Sequence, residues 1–265
     1  MTNDAAERPS GFMRAFPRVM TIVIAIATAA FFIYTAWYGS YPALIQRSIL
    51  LGAAMSLVFL GRLQSIPTDS LKNKVLSLTL YLATLCSVVT LGFIVVNFQA
   101  IAESSGFFGQ TEVVLATIMI VTLLLATWLS FGPALPIIAI CFLLYALFGR
   151  EMPDILSHRG LKWSSLAAGN YLTTKGVLGV PLGVVADVVL YFLMFSSFLA
   201  ATGASDIFVR LSQLMVGRMR GGPAKIAVVG SGLLGSISGS AVANVAASGM
   251  TSGRRALTTM ISKNQ

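Results

Sequence analysis

The sequence predicts an all-α, polytopic membrane protein with about six spanning helices, an amphipathic helix and a re-entrant helical hairpin. Three observations predict it. Of the 265 residues, 56% are hydrophobic and 10% are charged, against roughly 25% charged in a soluble domain, and mean hydropathy is +0.85. The charges cluster, leaving charge-free runs between Arg18 and Arg47, Lys74 and Glu103, Glu112 and Arg150, and Asp187 and Asp206. A spanning helix needs about 20 apolar residues, so each run holds at least one crossing. The third observation is a charge-free run over 226–253 that is crowded with Gly and Ser. Backbone of that kind survives at membrane depth only when it is buried in protein or lines a wet cavity.

The elements follow in order. The first span covers about 19–38 and ends in Trp37-Tyr38, an interfacial aromatic pair. Arg8, Arg14 and Arg18 precede it, and its apolar run is longer than the core of a cleavable signal. It therefore reads as a helix whose N-terminus is cytoplasmic. Gly39-Ser-Tyr-Pro42 makes a turn into the second span, 43–61, where Arg47 lies near the outer end and is expected to snorkel to the surface. Arg62, Lys72 and Lys74 face Asp69 alone in the following loop, which places it inside.

The third span covers 75–98, and its outer loop carries Glu103 and Glu112 without Lys or Arg. The run from Glu112 to Arg150 holds two spans, 113–129 and 135–147, broken at Gly132-Pro133. The connection 148–181 is long and basic, yet alternation places it outside. Its charge cluster from Arg150 to Lys162 reads as a solvated loop. The sixth span covers 182–201 and holds Asp187, the one acid inside an apolar segment. An intramembrane acid is a functional candidate, although Asp187 also lies close enough to the segment's start to be interfacial.

Residues 206–220 read as an amphipathic helix, with Ile207, Leu211, Leu214 and Met215 at helical spacing. Gly221-Gly-Pro223 ends it. The last apolar run enters at Lys225 and is followed by Arg254 and Arg255, so it enters and leaves on one face as a hairpin.

The basic excess, 18 Lys and Arg against 9 Asp and Glu, flanks apolar segments where orientation signals belong, and no nucleic-acid partner is expected. Cys86 and Cys141 fall inside predicted spans and read as small buried hydrophobes. His158 is the only histidine, so no His-based metal cluster is expected. No internal repeat is evident.

Two motifs invite sharper readings. Gly230-Ser-Gly-Leu-Leu-Gly235 fits the dinucleotide fingerprint and follows Lys225-Ile-Ala-Val-Val229, which could pass for a strand. That fingerprint needs a βαβ unit and a carboxylate about 20 residues on, and no Asp or Glu follows Asp206. No catalytic residues and no nucleotide cofactor are therefore expected. Gly235, Gly239 and Ala243 recur at spacing four, which suits close packing of two helices. Asn244 and the Ser236-Ile-Ser-Gly239 turn favour an ion site instead, because an amide in lipid needs a partner and sodium accepts hard oxygen ligands.

From about Tyr38 onward the chain resembles the permease of a tripartite ATP-independent periplasmic (TRAP) transporter, of the fused TAXI type. The resemblance rests on Gln46-Arg-Ser48, Ala134-Leu-Pro-Ile137, Tyr145-Ala-Leu-Phe-Gly149 and Tyr171-Leu-Thr-Thr-Lys-Gly-Val-Leu-Gly-Val-Pro-Leu-Gly183. Its most specific piece is Gly221-Gly-Pro-Ala-Lys225 followed by Ser236-Ile-Ser-Gly-Ser-Ala-Val-Ala-Asn244.

The resemblance implies a sodium-driven importer in the bacterial inner membrane, fed with an organic acid by a periplasmic binding protein. It implies sodium or substrate contacts at Ser236, Ser238, Gly239, Ser240 and Asn244, with sodium as coupling ion and no other cofactor. It divides the chain into a cytoplasmic tail (1–18), a four-helix small-subunit-like region (19–130) and the N-terminal part of a large-subunit-like transport region (131–265). The family continues with further spans where this chain has Thr251 to Gln265, so the tail reads as a truncation or a shifted frame. The other reading is a structural membrane subunit that carries no solute.

Overall fold

A computed structural model of the chain describes residues 11–66, 71–103, 109–153, 157–217 and 221–235. Every regular element among them is helical. In lipid a helix satisfies its own backbone polar groups, which an open strand cannot do. The chain divides into two units, Met1–Ala186 and Asp187–Gln265.

In the first unit, α1 (Gly11–Tyr38), α2 (Ala43–Gln64), α3 (Leu71–Val96), α5 (Gln110–Phe131) and α6 (Ala134–Phe148) carry the long apolar runs. A short α4 (Phe98–Glu103) follows α3, so the third span ends two residues earlier than expected and a separate turn of helix begins at Phe98. Six helical segments are long and apolar enough to cross a membrane: Phe16–Tyr38, Ala43–Gln64, Leu71–Val96, Gln110–Phe131, Ala134–Glu151 and Val180–Leu199. These are the six expected spans. The break between α5 and α6 falls at Gly132, whose φ of 81° suits glycine and whose N–H closes α5 on the Trp128 carbonyl.

The core is built by α2, α3 and α5. Leu51, Met55, Phe59 and Leu63 of α2 pack with Leu80, Leu91 and Ile94 of α3 and Ala116, Met119 and Ile120 of α5. α1 packs along α2, and its outward side chains, among them Val19, Ile22, Ile26 and Trp37, are exposed. α6 is likewise almost bare, with Ile137, Ile138 and Phe142 exposed. Exposed apolar faces of this size on α-helices are what hydrocarbon covers. Cys141 belongs to such a face and is exposed rather than buried, because α6 packs only at one edge; Cys86 is half-buried, and both thiols are free.

Hydroxyls inside these helices are handled locally. Ser56 donates to the Gly52 carbonyl, Ser87 to Ala83, Thr90 to Cys86 and Thr122 to Ile118, at 2.6–2.9 Å. Each returns to the carbonyl one turn back, so a polar atom is buried without leaving an unmet bond.

The connection between the fifth and sixth spans is not a purely solvated loop. It contains α7 (Trp163–Leu172), whose Leu166, Ala167, Ala168, Tyr171 and Leu172 are buried. α7 packs on α5, and its Trp163 Nε1 donates to Thr117 Oγ1 at 3.0 Å. Burial of five of its ten residues, rather than its charged flanks, fixes its place.

The second unit holds α9 (Leu190–Ala201), α10 (Ala204–Val216) and α11 (Gly222–Gly235). α10 and α11 pack on each other, with Ser212 fully buried and 3.2 Å from where a Cβ on Gly230 would lie. Ile207, Leu211, Leu214 and Met215 form the exposed apolar face of the expected amphipathic helix.

Candidate functional site

Arg47 makes a contact far along the chain. It is half-buried on α2, and its Nη1 donates to the Leu178 carbonyl oxygen at 2.9 Å. Its guanidinium lies where a Cβ on Gly183 would fall, 2.5 Å from Nη2. Glycine at 183 is what lets the guanidinium reach the backbone. Leu178 is fully buried beside it.

That turn is itself organised. Asn170 carbonyl accepts from Val177 N–H at 3.0 Å, and Gly176 carbonyl accepts from Gly179 N–H at 2.9 Å. A Cβ on Gly176 would lie 2.3 Å from the Asn170 Cα, so only glycine closes the turn. α8 (Val180–Val184) follows, with Pro181 in its first turn, and then a π-helical turn, Val185–Val189. Such turns interrupt the regular ladder and are frequent at functional sites. Asp187 sits in this turn and is exposed.

At the other end of the segment, the Tyr171 hydroxyl donates to the Thr90 carbonyl of α3. Tyr171 is fully buried and lies outside the six spans. Burial first, and the Glu112 carboxylate second, push its phenol above the ordinary value, so it stays protonated and keeps donating. Of the motifs singled out in the sequence, Gln46-Arg-Ser48 and Tyr171 to Gly183 thus meet in space through Arg47.

His158 is a second fixed point. Gly160 N–H donates to its Nδ1 at 3.1 Å, and its Nε2 lies 3.1 Å from the Tyr145 carbonyl oxygen. The imidazole packs edge-on to the Tyr145 ring and occupies the space that a Cβ on Gly149 would take, at 2.1 Å. The Tyr145 to Gly149 motif is thereby tied to the loop that follows it.

Residues 225–235 are helical, and Gly230, Gly232 and Gly235 lie inside α11. The stretch that could pass for a strand is therefore helix, and the strand–turn–helix that a dinucleotide site needs is not formed there. The candidates Ser236, Ser238, Gly239, Ser240 and Asn244, and with them the expected hairpin's turn and return, lie outside the described residues. α11 is the described element that precedes them.

Six apolar helices, each long enough to cross a membrane, define a polytopic α-helical membrane protein. Residues 118–257 match the family described as "Tripartite ATP-independent periplasmic transporter, DctM component". The match covers more than half of the chain, and the chain belongs to that family of transporter permeases. No curated protein and no solved structure matches it.

Proposed function

We propose that the chain is a permease component of a sodium-coupled secondary importer, taking a carboxylate-type solute from a periplasmic binding protein in the bacterial inner membrane. The observation that carries this reading is the family match, which runs from α5 through the Gly- and Ser-rich segment to residue 257. Residues 19–130 would form the scaffold, and 131–265 would open the transport region. The N-terminus would be cytoplasmic. The hairpin after α11 would present Ser236, Ser238, Gly239, Ser240 and Asn244. Broken helix ends there offer free N–H groups to an anion and free carbonyls to sodium.

The test is uptake into vesicles carrying the full chain, with the binding protein added outside and sodium varied. Sodium-dependent uptake that Ser238→Leu and Asn244→Leu abolish supports the reading. Uptake indifferent to both changes sinks the proposed site, and no uptake under any sodium gradient sinks the transport role.

A further inference from the structure

α1 and α3 both pack along α2, and the three run alternately up and down. Gly52 of α2 faces Leu91 of α3, and Gln64 Nε2 of α2 donates to Thr21 Oγ1 of α1 at 2.9 Å. The start of α1, the end of α2 and the start of α3 therefore share one end. Arg18, Arg62, Lys72 and Lys74 stand there, all exposed. None of the four has an ion-pair partner among the described residues. Between Arg18 and Lys74 the sequence holds one acid, Asp69. The opposite end of the same helices differs. It carries the exposed Trp37, Tyr38 and Tyr41, and its one cation, Arg47, is engaged by the Leu178 carbonyl.

We propose that the cationic end seats the headgroups of anionic phospholipids, whose phosphate oxygens accept from Arg18, Arg62, Lys72 and Lys74.

Depth selects a lipid. The apolar segments Phe16–Tyr38, Ala43–Gln64 and Leu71–Val96 hold 22 to 26 residues. At 1.5 Å per residue they are about 33–39 Å long, more than the roughly 30 Å of hydrocarbon. Their ends thus stand in the headgroup layer. Each of the four cations lies within four residues of its segment's end, about 6 Å at most along the helix. The headgroup layer is roughly 5–8 Å thick on each side.

The neighbours agree. Phe16 and Leu71, 44% and 81% exposed, are interleaved with the cations at this end. An acidic soluble protein or a nucleic acid would answer the charges and leave those two side chains in water. A phospholipid supplies phosphate to the cations and hydrocarbon to Phe16 and Leu71 together. Cations beside a bilayer attract anionic headgroups, and salt screens the attraction. This seat does not depend on the transport role.

The experiment titrates the delipidated full chain, in neutral detergent, with phosphatidylglycerol and phosphatidylcholine of the same acyl chains. Bound lipid is counted by native mass spectrometry. Phosphatidylglycerol should be retained about fivefold over phosphatidylcholine. It should also raise the thermal midpoint further than phosphatidylcholine does, and this excess should vanish in about 0.5 M NaCl. Joint Arg62→Gln, Lys72→Gln and Lys74→Gln should bring the two lipids to parity, whereas Arg62→Lys, Lys72→Arg and Lys74→Arg should keep the preference. Removing as many charges elsewhere, by Arg159→Gln, Lys162→Gln and Lys175→Gln, should leave it intact. Equal retention of the two lipids by the wild type, or an excess in midpoint that survives salt, overturns the proposal. So does equal loss in both glutamine triples, which would make net charge the cause. Displacement of the lipid by inorganic phosphate would reassign the seat to a soluble anion.

Discussion

The Arg47 guanidinium donates to the Leu178 carbonyl across 131 residues of sequence. It joins the second span to the turn that launches the sixth. Removing one partner of a hydrogen bond to a charged group leaves the other unmet, at about 1–3 kcal/mol. Arg47→Ala should therefore lower the thermal midpoint of the purified protein by several degrees, and Arg47→Lys should recover only part of the loss, because an ammonium lacks the fork that reaches past Gly183. A melting curve unchanged in Arg47→Ala would show that the contact contributes nothing.

Gly183 should couple to Arg47 rather than act alone. A Cβ at 183 would fall 2.5 Å from Nη2, so Gly183→Ala must move the guanidinium away from Leu178. In the Arg47→Ala background that crowding is absent, and the same change should cost nothing. A double-mutant cycle read by thermal unfolding checks this, and additive losses within about 0.5 kcal/mol would mean the two residues are independent.

The six spans were legible because charge exclusion from hydrocarbon is a crude signal that needs no packing detail. Gly132-Pro133 was legible for another reason: Gly and Pro mark chain breaks, and φ at 132 suits glycine. α7 was not. Its ten residues are too few for a span, its flanking Lys162 and Lys175 pull the segment toward water, and two of its five buried residues are alanines, which give a weak apolar signal. The Arg47 contact was not legible, because the carbonyl it meets arrives from a turn far along the chain. Sequence pattern marked Gln46-Arg-Ser48 and Tyr171 to Gly183 separately and gave no sign that they touch. The Gly- and Ser-rich candidates rest on the resemblance and on composition alone, since the described residues stop at Gly235 just before them.

Tyr171 anchors α7 to α3 through one hydroxyl. Tyr171→Phe keeps the ring and loses the bond, leaving the Thr90 carbonyl unmet by it, a loss of about 1 kcal/mol. Tyr171→Ala also opens a cavity in a fully buried site and should cost about 3–5 kcal/mol. Thermal unfolding should rank the wild type above Phe and Phe well above Ala. Equal midpoints for Tyr and Phe would remove the hydroxyl from the account.

His158 should be a single tautomer. Gly160 N–H donates to Nδ1, so Nδ1 is the acceptor, and the proton of the neutral ring sits on Nε2, facing the Tyr145 carbonyl. The chain has one histidine, so ¹⁵N-imidazole spectra at alkaline pH report it without overlap. A protonated Nε2 and a bare Nδ1 are expected. The opposite tautomer, or the averaged signal of a free imidazole, would show that the ring is not held by Gly160.

Gly230 and Gly232 should respond in opposite ways. A Cβ on Gly230 would approach the buried Ser212 hydroxyl at 3.2 Å, whereas a Cβ on Gly232 meets nothing within 4 Å. Gly230→Leu should force α10 and α11 apart and raise protease cleavage between them. Gly232→Ala should leave packing intact and stabilise α11 by up to about 1 kcal/mol, since alanine is the better helix former. If these glycines instead cradled a phosphate, Gly232→Ala would be the damaging change, because the backbone approach requires glycine there. Limited proteolysis of the two variants beside the wild type decides it: a cleaved Gly232→Ala and an intact Gly230→Leu would reverse the assignment of α11 as a helix packed on α10.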